Sequence, residues 1–145
     1  MKVLGFNFIK MHVERQQALA QRLSKNLNID FTEITKENVD FVKAAAIYNI
    51  GFKYSVEYLD ASAKKETKMG EVLLEGVLTI SLEKEEDKDF SKTYKKKEMN
   101  NSLKEALFNF LLKKCTPRAV DIEDQINLPV HLPIPQVNFN WESKK

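Results

Sequence analysis

The sequence predicts a two-layer α+β domain in which a four-stranded antiparallel sheet packs against one long helix, followed by a proline-rich C-terminal segment. Two observations predict this fold. Two neighbouring segments in the middle of the chain alternate apolar and polar residues, and a later segment places apolar residues at helical spacing. The length of 145 residues, with 43% hydrophobic and 30% charged content, suits one globular core. We therefore treat residues 1–145 as a single domain.

Two segments before residue 49 predict strands. VLGFNFIKMHVE at residues 3–14 is rich in β-forming residues, and its alternation shifts near Ile9, which indicates a β-bulge. NIDFTEIT at residues 28–35 predicts a short strand or an extended crossover. The residues expected to share its face are Ile29, Phe31 and Glu33. The stretch between the two segments, residues 15–26, fits either a helix or a crossover, and residues 38–47 fit at most one helical turn.

The strongest strand signal is a hairpin between residues 49 and 84. NIGFKYSVEYLD and GEVLLEGVLTISLEK alternate with a period of two, and the polar stretch DASAKKETKMG between them is typical of a turn. The opposite face mixes charged and apolar residues, which is typical of a sheet that another subunit partly covers. The predicted inner face is formed by Phe52, Tyr54, Val56, Tyr58, Val72, Leu74, Gly76, Leu78, Ile80 and Leu82.

The later apolar pattern predicts a long helix from Phe90 to Cys115. We expect Pro117 to end it, because the residue before a proline is disfavoured in helical geometry. The helix would then pack on the sheet through one apolar stripe. That stripe is formed by Met99, Leu103, Leu107, Phe110 and Leu111.

The C-terminal segment LPVHLPIPQVNFNW, residues 128–141, is apolar although it contains Pro129, Pro133 and Pro135. A helix would not tolerate these prolines in its interior, and a disordered tail is normally polar. Two interpretations stay open. The segment packs on its own domain, or it forms a surface that other apolar chains contact.

Few residues suggest enzyme chemistry. None of the four glycines falls in a phosphate-binding loop pattern. Cys115 with His131 could form a nucleophile and a base, but a cysteine at the apolar end of a helix is more often a buried structural thiol. The histidines and the cysteine lack metal-ligand spacing. We therefore expect no enzyme, no catalytic residue, no cofactor and no metal site.

The net charge is only +2, but lysines cluster at residues 92–97, where Tyr94 is interleaved. Basic residues around an aromatic ring can bind single-stranded nucleic acid, which is one alternative function. The other interpretation is a solvated helix start. Positive charge is unfavourable at a helix start, which suggests either a binding use for the lysines or a later start of the helix. Cys115 is the single cysteine, and the sequence shows no signal peptide or transmembrane run. We therefore expect a cytoplasmic protein without a membrane partner.

The order of these elements resembles the SecB family of cytosolic export chaperones. The resemblance rests on the apolar and acidic pattern of NIDFTEIT, the long hairpin, the helix LKEALFNFLLKKC and the closing LPIPQVNF. In the family, a similar segment ending in Pro-Val-Asn-Phe follows the long helix. The resemblance implies a SecB-like fold of four antiparallel strands and helices, assembled as a dimer of dimers. It also implies an ATP-independent holdase that keeps unfolded or precursor polypeptides in apolar grooves, for example for protein export.

The resemblance further implies which residues contact such a client. Matched to the family, they are Ile29 and Phe31 in the crossover and Pro135, Val137 and Phe139 in the linker. The apolar patterning adds five more candidates, which are Phe41, Tyr54, Tyr58, Leu132 and Ile134. The alternative for each linker residue is that it only covers the core of its own domain.

Two features depart from the family. A second helix follows the linker there, whereas only residues 140–145 follow it here, so we expect one wall of the groove to be missing. The acidic surface by which export members dock to the SecA motor is not matched, and its nearest candidates are Glu57, Glu71 and Glu75. Delivery to SecA is therefore not expected. A specific-partner chaperone or adaptor on the same fold, for example for an antitoxin, is the first alternative to a general holdase.

Overall fold

The computed structural model describes residues 1–37, 45–62, 67–135 and 137. Four strands form one antiparallel sheet, and a long helix packs on one of its faces. The predicted α+β fold is thereby confirmed, with one additional short helix. In chain order the elements are β1 (Lys2–Arg15), β2 (Leu23–Glu37), β3 (Ala45–Asp60), β4 (Lys68–Glu83), α1 (Lys84–Thr93), a 3-10 turn (Tyr94–Lys96) and α2 (Asn101–Gln125).

The strand order β1-β4-β3-β2 places the β3–β4 hairpin in the centre and leaves β1 and β2 as the edges. All neighbouring strands are antiparallel. The predicted hairpin and its inner face are confirmed, because alternate side chains such as Tyr54 and Leu74 are fully buried beneath α2. The outer face is mixed, as predicted, with buried Ser55 and Leu73 among charged residues.

A β-bulge in β1 explains why its alternation shifts in the sequence. The register changes between Phe8 and Lys10, so Ile9 is the extra residue, as predicted. The bulge lets Phe8 pack against the core while Ile9 stays exposed.

Strand β2 differs from its prediction in length and in register. It spans Leu23–Glu37, so NIDFTEIT belongs to a long strand, and residues 15–26 contain no helix. Strand β2 also contains a bulge, between Phe31 and Ile34. Because the bulge moves the alternation by one residue, Ile34 reaches the core and is buried. The prediction that Glu33 shares a face with Phe31 is therefore wrong.

Gly76 in β4 lies beneath an aromatic cluster on the helix side of the sheet. The rings of Phe6 and Phe52 stack with their centroids 5.2 Å apart, and the ring of Phe8 meets Phe52 edge-on at 6.3 Å. A Cβ atom at Gly76 would lie 2.6 Å from the Phe52 ring and would also strike the carbonyl oxygen of Asn7. The absence of a side chain at Gly76 is therefore what allows the Phe52 ring to lie so close to the backbone of β4.

The helical part of the chain begins earlier and ends later than the sequence pattern predicts. The acidic run after β4 forms the first turn of α1, where Glu83 and Glu86 form a capping box. Asn100 caps α2 by accepting a hydrogen bond from the Leu103 N–H at 2.8 Å. The predicted single helix from Phe90 is therefore two helices. The lysines of the basic run precede α2, which agrees with the later start that their charge favours.

Pro117 lies inside α2, so the prediction that it ends the helix is wrong. Proline removes one hydrogen bond to the carbonyl four residues earlier, but both Pro117 and Lys113 are exposed, so water can solvate that carbonyl. The turns on both sides of Pro117 bury Cys115, Ala119 and Ile122 against the sheet, and this packing outweighs the local preference. Within the described ranges, no helix combines the length and the apolar character needed to cross a membrane.

We expect Gly76→Ala to lower the free energy of unfolding by about 1–3 kcal/mol, because the added methyl group overpacks the aromatic cluster. Urea unfolding followed by circular dichroism measures this change. The matched control is Gly5→Ala, since a Cβ atom at Gly5 would meet nothing closer than 3.9 Å. Equal stability of the two variants would contradict this account of the aromatic cluster.

Candidate functional site

The C-terminal segment starts with a sharp turn at the end of α2. Asn127 adopts the left-handed backbone conformation with φ 57°, and the Leu128 N–H donates to the carbonyl of Glu123 at 2.9 Å. A left-handed residue after a helix redirects the chain. Arg15 of β1 donates to the carbonyls of Ile126 and Asn127 at 3.2 and 2.7 Å. The turn is therefore fixed to the sheet.

After this turn the segment crosses the sheet towards β2. Leu128 is buried beside β4. The hydroxyl of Tyr58 on β3 donates to the carbonyl of Pro129 at 2.5 Å. The Nζ of Lys25 on β2 donates to the carbonyl of Val130 at 2.8 Å. Three strands thus hold three consecutive residues, and the segment arrives at the edge of the sheet that β2 forms.

A buried hydrogen-bond network holds the next residue, His131. Its Nδ1 lies 2.5 and 2.8 Å from the two carboxylate oxygens of Glu123, and its backbone N–H donates to the same carboxylate at 3.1 Å. Its Nε2 lies 2.8 Å from the hydroxyl of Tyr54, which is 3.1 Å from the hydroxyl of Thr116. The side chains of His131 and Glu123 are 2% and 0% exposed. The network therefore joins the segment to both layers of the domain.

Tyr54 and Tyr58 support the segment from below. Both side chains are fully buried, and burial is the main cause that raises the pKa of each phenol. The negative charge of Glu123 adds to the rise in the pKa of Tyr58. The sequence pattern suggested these tyrosines as client contacts. In the folded chain their side chains are shielded from solvent, so they position the segment and offer no surface of their own.

Beyond His131 the segment presents apolar side chains to solvent. Leu132, Ile134 and Val137 are 40%, 60% and 78% exposed, and Pro135 is exposed as well. The prolines lack an N–H group, which limits pairing of this segment as an additional strand. Apolar area therefore remains accessible on a segment whose root is firmly held.

Strand β2 carries a second apolar surface at the same edge of the sheet. Leu27 is 38% exposed, and Ile29 and Phe31 are half-buried. The ring of Phe31 stacks on that of Phe108 in α2, with centroids 5.2 Å apart and an angle of 18° between the planes. Among the described residues, no strand pairs with the outer edge of β2. Its backbone groups along that edge can therefore pair with an added chain.

The structure thus divides the ten predicted contact residues into three groups. Tyr54 and Tyr58 are buried. Phe41 and Phe139 lie outside the described residues. The remaining six lie on the edge strand or in the segment, and they are Ile29, Phe31, Leu132, Ile134, Pro135 and Val137.

Sequence reasoning missed the residues that hold the segment in place. Glu123 gave no signal, and His131 was considered only as a base for Cys115, because a carboxylate and an imidazole eight residues apart resemble ordinary surface residues in a sequence. Leu27 and Phe108 were also missed as part of this surface. Phe108 carried a weak signal, since it widens the apolar stripe of α2 towards β2.

Three other clusters contain titratable or charged side chains. Burial raises the pKa of Cys115 to about 12, so its thiol stays protonated at neutral pH. The imidazole of His131 is committed to Glu123 and Tyr54, so the suggested nucleophile and base do not form a pair.

His12, Glu14 and Glu71 come together on the outer face of the sheet. Their ligand atoms lie within 4.8 Å of one another, so this donor set could hold a metal ion. The sequence analysis did not predict it. Lys68 already neutralises Glu71, with its Nζ 2.7 Å from the carboxylate, and the His12 and Glu14 side chains are exposed.

The basic run lies at the far end of β2. Lys95 and Lys97 line an open cavity of about 450 Å³ together with Lys36 and Tyr94. Glu33 lines the same cavity, and Lys36 is paired with Asp87, so the local charge is mixed. For a single-stranded nucleic acid, the described part of this region offers only a modest positive surface and no aromatic platform on which bases could stack.

Comparison with known proteins bears on the fold. No family model and no curated protein matches the chain. Among solved structures, it matches the SecB-like chaperone Rv1957 of Mycobacterium tuberculosis, which was determined in complex with a ChAD peptide from the HigA1 antitoxin. The match covers 96% of this chain and 91% of that chain, with a TM-score of 0.51 and 11% sequence identity. The chain has a SecB-like fold.

This SecB-like fold agrees with the resemblance that the sequence suggested. At 11% identity the match concerns the path of the backbone and does not extend to the side chains of the site. The contacts of those side chains in this chain are therefore what define the site. Those contacts define a surface with two parts, which we call the β2 edge surface. It consists of Leu27, Ile29, Phe31 and Phe108 on the domain and Leu132, Ile134, Pro135 and Val137 in the segment.

We expect Tyr58→Phe to lower the free energy of unfolding by about 1–2 kcal/mol, because it leaves the Pro129 carbonyl without its donor. Urea unfolding measures the loss, and hydrogen exchange at residues 128–131 locates it. Tyr94→Phe is the control, since the half-buried Tyr94 hydroxyl bonds to none of the described residues. Equal exchange rates in the two variants would show that Tyr58 does not anchor the segment.

Proposed function

We propose that the chain is an ATP-independent holdase chaperone that binds non-native polypeptides through the β2 edge surface. One observation carries the proposal: a proline-stiffened segment exposes Leu132, Ile134 and Val137 to solvent while its root is fixed to α2 and the sheet. Exposed apolar residues in such an arrangement are typical of an interaction surface. The SecB-like fold supports the same class of function.

The physical chemistry of the surface suits clients of varied sequence. Burial of apolar area contributes about 25 cal/mol per Å² whatever the order of the side chains. The free edge of β2 adds main-chain hydrogen bonds, which are equally independent of sequence. The two contributions together would hold an extended, apolar stretch of an unfolded chain. Phe41 and Phe139 remain predicted contacts, while Tyr54 and Tyr58 position the segment.

A specific-partner chaperone is the second candidate function. The mycobacterial protein with this fold was determined with a peptide from an antitoxin, which favours one dedicated client as an alternative. Breadth of binding separates the two candidates, because a general holdase protects many unrelated unfolded proteins. A role in export, a cytoplasmic location and the absence of SecA as a partner stay predictions from the sequence.

We expect Ile134→Asp with Val137→Asp to weaken suppression of aggregation about tenfold, because charge replaces apolar area that a client would bury. Light scattering of a reduced, unfolded model protein diluted into buffer measures suppression. The matched control is Ile134→Leu with Val137→Leu, which keeps the segment apolar and should keep the activity. Both positions are exposed, so circular dichroism and urea unfolding should be unchanged in either variant.

The outcome of this experiment distinguishes the general holdase from the specific-partner chaperone. Full suppression by the aspartate variant would move the client site away from this segment. No suppression by the unchanged protein, across several unrelated unfolded proteins, would overturn the general holdase and leave the specific-partner chaperone.

We also propose that the chain self-associates through β1, which would give the first level of a dimer of dimers. This edge strand is 14 residues long, and no described strand pairs with its outer side. Its exposed apolar residues include Leu4 at 54%, Ile9 at 71% and Met11 at 46%. A long apolar edge invites pairing with another chain unless it is covered. A two-fold pair of β1 strands would cover both copies at once.

We expect Leu4→Asp with Met11→Asp to shift the protein from oligomer to monomer, because the introduced charges would face each other across the two-fold axis. Sedimentation velocity at several protein concentrations measures the mass. The Ile134→Asp and Val137→Asp variant serves as the control and should keep the mass of the unchanged protein. A monomeric unchanged protein at every concentration would contradict the proposed assembly.

A further inference from the structure

Glu123 is the only aspartate, glutamate, lysine or arginine that is fully buried among the described residues. It lies near the C-terminal end of α2, and its carboxylate faces the imidazole of His131. No lysine or arginine in the described part of the chain forms an ion pair with it. Among the described residues, His131 is therefore its one ionic partner, and it belongs to the segment that carries the exposed apolar residues.

A buried ionic pair is not needed to fix a chain segment. Replacing such a pair by packed apolar residues often leaves a protein as stable or more stable, because both charges lose their hydration on burial. The same segment already contains an apolar anchor of this kind in Leu128. A histidine placed against a buried carboxylate differs from an apolar anchor in one respect, since its charge changes near neutral pH.

We infer that the His131–Glu123 pair is a protonation-controlled latch that positions the client-binding segment over the edge of β2. The latch itself rests on the geometry of the pair. Its effect on client binding rests on the proposed function. His131 directly precedes Leu132, so its position sets where the exposed apolar residues begin.

The hydrogen-bond network admits two states of the imidazole. With both nitrogens protonated, Nδ1–H donates to Glu123, Nε2–H donates to the Tyr54 oxygen, and the Tyr54 hydroxyl can donate to Thr116. With Nε2 unprotonated, the Tyr54 hydroxyl donates to it instead. The bonds survive this change, but the neutral imidazole leaves the buried carboxylate without a counter-charge. The latch is therefore tighter with the proton than without it.

The other titratable and charged groups around the pair do not replace that counter-charge. Tyr54 and Tyr58 face it from β3, and burial raises the pKa of both phenols, so they stay neutral. Cys115 of α2 lies near Tyr54 and is protonated for the same reason. Lys25 of β2 and Arg15 of β1 donate to backbone carbonyls of the segment and of the turn before it.

The direction of the pH effect follows from these contacts. Loss of the imidazole proton removes the counter-charge of the buried carboxylate and with it the stabilisation of the latch, so residues 128–135 open more often at higher pH. The segment is held best while the imidazole is protonated, and client binding through its apolar residues is strongest in the same state.

Hydrogen exchange of the full chain tests the latch directly. We expect protection factors at residues 128–131, which correct for the intrinsic pH dependence of exchange, to fall about tenfold between about pH 6 and about pH 8. Glu123→Gln keeps the shape of the side chain and removes its charge, so its protection should not change over this range. His12→Gln is the matched control, because His12 is the other histidine and lies exposed on β1. It should behave like the unchanged protein.

Client binding is measured on the same variants with a fluorescently labelled, permanently unfolded model protein as the probe. We expect its affinity to fall about tenfold over the same pH range in the unchanged protein and in His12→Gln, and to be independent of pH in Glu123→Gln. Urea midpoints at both pH values report the stability of the rest of the fold. A drop in exchange protection throughout α2 as well would show general unfolding and overturn the latch.

The hydrogen-exchange measurement and the client-binding measurement can fail independently of each other. Protection at residues 128–131 that does not change with pH would overturn the latch, whatever the probe does. A pH-dependent latch with pH-independent affinity would overturn its control of the client site. Absence of probe binding at every pH would overturn the proposed function and with it that control, while the exchange arm alone would still decide whether the pair is a latch.

Discussion

The rest of the structure depends on the fully buried inner face of the β3–β4 hairpin. Its alternate residues, from Tyr48 to Tyr58 and from Val72 to Leu82, have almost no exposed surface. Both edge strands pair with this hairpin, α2 packs across it, and the C-terminal segment crosses it. Each of these elements gains its apolar burial from the same face, which is why one sheet with one long helix forms a stable domain.

That central role explains which parts of the fold could be predicted from the sequence. A strand paired on both sides has one face buried along its whole length, so β3 and β4 show a clean period of two. The edge strand β2 has a weaker constraint. Leu19, Leu23 and Leu27 are four residues apart, a spacing that suits a helix turn and also an even step along a strand. Local spacing alone could not decide between them, and pairing with β3 decides for the strand.

The error at Pro117 has a similar origin. The local rule concerns the backbone around one proline, whereas α2 is held by the buried residues of every turn, including Cys115 before the proline and Ala119 after it. The consequence reaches the candidate site. Because α2 continues, Thr116 and Glu123 face the sheet side where the segment returns. The exposed apolar residues of the segment were predictable from composition, but the network that positions them was not.

The segment is held by directional polar bonds at its root and exposes apolar side chains at its tip, and this division has a physical reason. An apolar anchor fixes a chain by removing apolar surface from water, and the same surface is then lost to any client. Hydrogen bonds to Tyr58, Lys25 and Glu123 fix the backbone and consume no apolar area. They also define one position, because their strength depends on distance and angle. The proposed holdase function would need both properties, and this structure combines them, because a buried carboxylate and imidazole lie beneath an exposed apolar strip.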